Sequence, residues 1–293
     1  MLYFVYILEC ADGSLYVGST NNLEKRLLEH NNLKSGAHYT KIRRPVKLKY
    51  YESYKNLSEA RKRENELKKL SHQQKDKLFM QASINNQKQI FKKINKTLKK
   101  LFPKIVPALR FSNQWELLVA TILSAQTTDK KVNEITEKLF KKYKKLDDYV
   151  KAKLSEFEKD INGVNYYKTK AKAILENAKI IKTQYNGKVP KTMNELVRLK
   201  NVARKTANIV LSVGYDISEG IAVDTHVKRL SKLLGLTENT DPVKIEKDLM
   251  KIIPKSEWKN FNLRFVEYGR KYCPAKKHNH KKCPLQIEMR GEE

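Results

Sequence analysis

The spacing of apolar residues changes once along the chain. The first run, MLYFVYILEC, has strand length; the Asp12-Gly13 pair follows, and a second run passes through Leu15, Tyr16 and Val17, which together predict a β-hairpin. A helix is expected next over LEKRLLEH, and LSEARKRENELKKL reads as a further amphipathic helix. MQASINNQKQ is polar, carries two adjacent asparagines and reads as a connector. From IFKKINKTLKKLF to the tail, apolar residues recur at helical spacing with little strand alternation. The pattern predicts an α+β multidomain chain without internal repeats: a small mixed α/β domain over 1–82, a linker over 83–87 and an all-α domain over 88–293.

Composition adds a partner class. The 293 residues suffice for two domains, and 61 Lys+Arg against 32 Asp+Glu give a formal net charge of +29 and a pI near 9.8. Such an excess, mixed with 15 Tyr, points to a polyanion, and nucleic acid suits it. Runs such as KKINKTLKK and KKYKK read equally as solvated faces, so charge supports binding and not catalysis. No stretch approaches the roughly 18–20 apolar residues of a membrane helix. The opening run is short and lacks a basic flank, which argues against a secretory leader. Three cysteines without paired spacing fit a reducing compartment. A cytoplasmic monomer with no membrane partner is expected.

Candidate chemistry concentrates in LKNVARKTANIVLSVGYDISEGIAVDTHVKR, read as two helices joined by a tight turn, the second of them long. Lys205 stands at the start of that second helix beside Arg204. The helix dipole and the neighbouring guanidinium there both disfavour a charged amine, which makes it a candidate nucleophile. Asp224 precedes another apolar-periodic segment, so it reads equally as a helix N-cap or as a catalytic carboxylate. In the first domain, Tyr6 and Tyr16 lie on the hairpin, Arg26 and His30 share one helix face, and Glu64 lies on the later helix. Pattern alone makes all of these packing or solvated residues.

WELLVATILSAQTTDKKVNEITEKLF, LKNVARKTAN, VDTHVKR and EYGRKYC resemble, in order and spacing, the endonuclease III-like helix-hairpin-helix (HhH-GPD) DNA glycosylases over roughly Gln87 to Leu285. The resemblance implies an enzyme that everts a damaged pyrimidine, removes it and cleaves the abasic site. Lys205 would be the Schiff-base nucleophile and Asp224 the assisting carboxylate. Gln126 matches the side chain inserted into the vacated space, and Lys200, Asn201, Ala203 and Arg204 fall on the phosphate-binding hairpin. That hairpin departs from the family word L-P-G-V-G-R-K. Asn201 tolerates a left-handed dihedral, whereas Ala203 would cost about 1–2 kcal/mol there if the dihedral were kept.

Relatives often hold a [4Fe–4S] cluster on four cysteines, and the matching positions here are Cys273, His280, Cys283 and Met289. Two thiolates are too few, so no iron–sulfur cluster is expected. Zinc on Cys273, His278, His280 and Cys283 satisfies ligand type, but the sequence favours a plain basic Lys/His tail.

Val5-Tyr6-Ile7, Tyr16-Val17-Gly18, Arg26 with His30, and Glu64 resemble the GIY-YIG nuclease domain over Met1 to Ala82. That implies Mg²⁺-assisted phosphodiester hydrolysis. Glu64 would be the metal ligand, Tyr6 would help to deprotonate water, and Tyr16, Arg26 and His30 would position water or phosphate. Two functional readings follow. The first is a repair enzyme, glycosylase and abasic-site lyase with an endonuclease domain. It would act on double-stranded DNA bearing a damaged base or abasic site, with branched or nicked DNA as a further substrate. The second is a DNA-binding protein in which one or both sites have decayed.

Overall fold

The computed structural model describes residues 1–290, and the chain divides into two compact units, Met1–Asn86 and from Gln87 onward. In the first, β1 (Tyr3–Glu9) and β2 (Leu15–Thr20) form the expected hairpin, and α1 (Leu23–Asn32), α2 (His38–Lys41), β3 (Lys47–Tyr54) and α3 (Leu57–Lys69) follow. The antiparallel sheet has the order β2-β1-β3, which places β1 in the centre. Val5 and Ile7 face Val17 and, on α3, Ala60 and Leu67; Tyr6 and Leu8 face Val46 and, on α1, Leu23 and Leu27. Both faces of β1 are thus covered, which explains its unbroken apolar run. The edge strand β3 has no such cover, and its mixed KLKYYESY pattern gave no strand signal. Asn22 and Asn56 cap α1 and α3 by accepting from Lys25 N and Glu59 N.

Helix α4 runs His72–Leu101, so residues 83–87, read above as a connector, are helical. Asparagine costs only a few tenths of a kcal/mol in a helix, and Gln, Lys and Ala flank the pair. The second unit is helical: α5 (Gln114–Leu123), α6 (Asp129–Lys142), α7 (Leu146–Lys151), α8 (Leu154–Asp160), α9 (Tyr167–Gln184), α10 (Met193–Leu196), α11 (Arg204–Ile209), α12 (Thr225–Leu233), α13 (Pro242–Ile252), α14 (Trp258–Lys271) and α15 (Pro284–Arg290). At its centre lies α5, buried from Trp115 through Val119 to Leu123 apart from Glu116. Around it pack Leu139, Phe157, Ile174, Leu196 and Val210. Phe91 of α4 meets Phe261 of α14, which lies against Phe265, and Ile94 and Leu98 of α4 are buried as well.

Candidate functional sites

In the helical unit, α10 and α11 form the predicted hairpin. Leu199 and Val202 anchor its turn in the core. Asn201 takes the left-handed conformation (φ 58°), while Ala203 is an extended N-cap residue (φ −88°, ψ 171°). The strain considered for Ala203 therefore does not arise, because the one left-handed position is occupied by a residue that tolerates it. The turn is fastened by fully buried Asn177 of α9, whose Oδ1 accepts from Lys200 N (2.7 Å) and whose Nδ2 donates to Lys200 O (2.9 Å). Instead of one long α-helix, α11 gives way after Ile209 to a π-helical turn, Val210–Gly214.

Arg204 directs its guanidinium at buried Glu246 of α13, at 2.9 and 3.0 Å, and Asn208 Nδ2 donates to the same carboxylate at 2.8 Å. Gly220 makes room for this lock: a Cβ there would lie 2.0 Å from Glu246 Oε1. Lys205, one residue on, is exposed and lines a cleft of about 490 Å³. Asp224 lines the same cleft, and so does Gln126. Asp224 is also the N-cap of α12, its Oδ1 accepting from Val227 N at 2.8 Å, so the two roles left open by the sequence are compatible. Asn262 on α14 donates to Ala222 O (2.6 Å) and holds the loop that delivers Asp224.

His226 joins this wall. Burial holds its imidazole below the ordinary histidine range, against the pull of Asp224 and with the help of Arg270, Arg229 and Lys205. Its ring lies so close to α14 that a Cβ on Gly269 would meet Nδ1 at 2.3 Å. Gln126 stands at φ 57°, and Asn165 Nδ2 donates to its carbonyl at 2.5 Å. Beneath that loop Lys170, 4% exposed, donates to Leu123 O (2.8 Å) and Ala125 O (2.6 Å) at the C-terminal end of α5. Burial pushes its ammonium pKa down. Sequence reading missed Asn177, Lys170, Glu246 and His226. Only His226 had a local signal, since it directly follows Asp224-Thr225.

Farther along, Cys273, His278, His280 and Cys283 converge, with their ligand atoms all within 4.8 Å of one another. This gathering does not suit the cluster that the family resemblance implies. A cubane cluster takes thiolates on four separate irons, and among these side chains two are imidazoles.

The first unit holds its candidate residues in a chain of hydrogen bonds. Arg26 Nε donates to Tyr6 Oη (3.3 Å), Tyr6 Oη meets His30 Nε2 (2.8 Å), His30 Nδ1 meets Thr40 Oγ1 (2.7 Å), and Thr40 donates to Ala37 O (2.9 Å). Because the Thr40 proton goes to a carbonyl, His30 Nδ1–H must donate to Thr40, and Nε2 is left to accept the Tyr6 proton. Burial, reinforced by Arg26, holds His30 at about 4, which keeps it neutral and able to accept. Burial likewise pushes Tyr6 up to about 12, although Arg26 opposes it. Tyr16 rests its ring against His30, with centroids 5.0 Å apart. Gly18 pairs with Tyr6 across the hairpin, and a Cβ there would lie 2.6 Å from Tyr6 Oη.

Glu64 accepts from Ser19 Oγ (2.6 Å) and pairs with Lys68 Nζ (2.6 Å). Ser19 and Arg26 line a polar cleft of about 300 Å³ that Glu64 does not itself line. The donors suit one hard cation: a carboxylate beside a hydroxyl, faced on its other oxygen by the flexible ammonium of half-exposed Lys68.

Comparison with known proteins agrees with both halves. The model of the HhH-GPD superfamily base excision DNA repair protein matches residues 119–255, and that of the GIY-YIG catalytic domain matches residues 2–77. Endonuclease III of Synechocystis sp. is 45% identical over 188 residues, covering 64% of this chain and 86% of the relative. That of Bacillus subtilis is 44% identical, covering 63% and 84%. Among solved structures, a non-covalent endonuclease III–DNA complex has a TM-score of 0.65 at 39% identity, covering 70% of this chain and 99% of that one. A trapped endonuclease III–DNA covalent intermediate has 0.65 at 42%, covering 68% and 93%. With a relative at 45% identity matched over most of its length, this chain belongs to the endonuclease III family, and it carries a GIY-YIG domain in addition.

Proposed function

We propose that the helical unit is a DNA glycosylase and abasic-site lyase acting on damaged pyrimidines, with Lys205 as nucleophile. The observation that carries this reading is the shared cleft, which an amine enters from the start of α11 and a carboxylate from the cap of α12. A base must leave the stack to reach such a cleft, at a cost of a few kcal/mol that is least for damaged or mispaired bases. As the N-glycosidic bond breaks, positive charge grows on the sugar and the Asp224 carboxylate stabilises it. The Lys205 amine bonds to C1′ as the C1′–base bond breaks, and the proton it loses goes to the departing base. The C1′–O4′ bond then opens to an iminium as O4′ takes a proton from solvent, and loss of a C2′ proton breaks the C3′–O bond and expels the 3′ phosphate. Gln126 fills the vacated space, while Lys200 and the hairpin amides receive phosphate. The solved endonuclease III complexes with DNA, one of them covalent, support the assignment.

The first unit we read as a metal-dependent endonuclease. Glu64 would hold a divalent cation such as Mg²⁺, which when bound neutralises charge on the phosphate and the leaving oxygen. Tyr6 keeps its proton in the hydrogen bond to neutral His30 and so turns an oxygen lone pair toward an attacking water, while Arg26 and Tyr16 fix the ring and the phosphate.

The decisive experiment incubates the protein with abasic duplex in EDTA and borohydride. A covalent adduct that disappears in Lys205→Gln is expected; DNA binding without an adduct would turn the unit into a binding module. For the first unit, Mg²⁺-dependent nicking of duplex, flap and single-stranded DNA should vanish in Glu64→Ala. Equal nicking by both proteins would remove the nuclease assignment.

A further inference from the structure

We propose that Cys273, His278, His280 and Cys283 form a structural zinc site, which takes the place that a [4Fe–4S] cluster holds in relatives. Zinc bonds of about 2.3 Å to sulfur and 2.0–2.1 Å to nitrogen define a tetrahedron with edges of about 3.3–3.8 Å. Two edges already fall in that range: Cys283 Sγ to His278 Nε2 is 3.3 Å, and Cys273 Sγ to His280 Nδ1 is 3.6 Å. All four ligand atoms lie within 4.8 Å of one another, so they converge on the space of a single ion. Two sulfurs and two imidazole nitrogens in that arrangement are a zinc set.

The surroundings orient the ligands. His278 Nδ1–H donates to Lys276 O at 2.8 Å, which fixes the tautomer and turns the Nε2 lone pair toward Cys283. Arg229 of α12 donates to Cys273 O at 2.5 Å and places a second nitrogen 3.5 Å from its sulfur. Both cysteines are buried, whereas His280 is exposed and His278 half-exposed, as for a closed site at the molecular rim. Charge points the same way. Two thiolates and one Zn²⁺ sum to zero, so the site can form within the lysine-rich run KYCPAKKHNHKKC. The ion would bind the three-ten turn His280–Lys282 and the start of α15 to α14 and, through Arg229, to the helix whose cap is Asp224.

The test uses the full chain, purified without chelator. One zinc per chain that survives gel filtration is expected by elemental analysis. After chelation, Co²⁺ should restore a tetrahedral spectrum with thiolate-to-cobalt charge transfer. Zinc should fall to background in the His278→Ala/His280→Ala double variant, whose substitutions lie outside the core and leave the fold intact. Cys10→Ser should keep its zinc. Chelation should also raise amide hydrogen exchange in peptides covering 273–290. Iron with acid-labile sulfide, a Cys273–Cys283 disulfide in the non-reduced mass, or zinc retained by the double variant would each overturn the proposal. So would a wild-type protein that takes up neither zinc nor cobalt. These readouts are independent of catalysis, so they stand whatever the adduct assay shows.

Discussion

In the GIY-YIG unit two residues of the proposed site, Tyr6 and His30, lie inside the fold, whereas the two proposed for the endonuclease III unit, Lys205 and Asp224, reach its surface. Tyr6 is 2% and His30 0% exposed, and side chain links to side chain as far as a backbone carbonyl. Lys205 is exposed and Asp224 half-buried, and both are set by helix ends, with Arg204, Asn177 and Lys170 bracing the backbone from behind. A site of the first kind cannot change without touching the core. A site of the second kind lets chemistry and stability be separated: Lys205 is braced by its neighbours, and the cap that Asp224 supplies to α12 is one that an uncharged asparagine can also supply.

The largest effect that would sharpen this contrast is expected for Asp224→Asn. Asparagine caps a helix about as well as aspartate, so thermal stability should hold, while base removal slows by about 10²–10⁴-fold in single-turnover kinetics for lack of the charge. Equal loss of stability would break the separation. In the GIY-YIG unit, pH does what mutation does elsewhere. His30 titrates near 4 when folded and near 6.5 when unfolded, so below about pH 6.5 the unfolded state binds the extra proton. Its contribution, on the order of 2–3 kcal/mol, is present above that pH and lost as pH falls toward 4. Protection factors of peptides from residues 1–86, that is hydrogen exchange corrected for the intrinsic rate at each pH, should therefore fall by pH 4.5, and the dependence should weaken in His30→Gln.

Smaller effects test the bracing. Asn177→Ala removes two hydrogen bonds from the hairpin turn and leaves Lys200 N–H and C=O to find others. A loss of about 1–3 kcal/mol by denaturant unfolding is expected, together with weaker DNA binding. Lys200→Ala should leave stability unchanged and lower the slope of log K against log salt by about 1, as read by titration of a duplex at several salt concentrations. A steeper change would mean that Lys200 organises the hairpin as well as touching phosphate.

Local signals carried the parts of this molecule that are local. The Asp12-Gly13 turn gave the β-hairpin, and Asn201 suited the left-handed position of the turn between α10 and α11. The words around Lys205 and Asp224 identified two residues that line one cleft. Periodicity could not show the braces, because Asn177 meets Lys200 and Glu246 meets Arg204 only after helices far apart in sequence come together. The tail illustrates the same limit: His278 and His280 read as basic residues until the backbone turned them toward two cysteines. The polar stretch at 83–87 does contain the division between the two units, but it is helical, because low apolar content does not lower helix propensity.

Lys170 bears on what salt can do to this protein. Its ammonium sits under the Gln126 loop and is held by two peptide oxygens, out of reach of mobile counterions. Ionic strength high enough to strip a duplex from the surface should therefore leave the Gln126 loop, proposed above as the inserted wedge, in its folded position. Release and re-engagement then need no refolding of the loop.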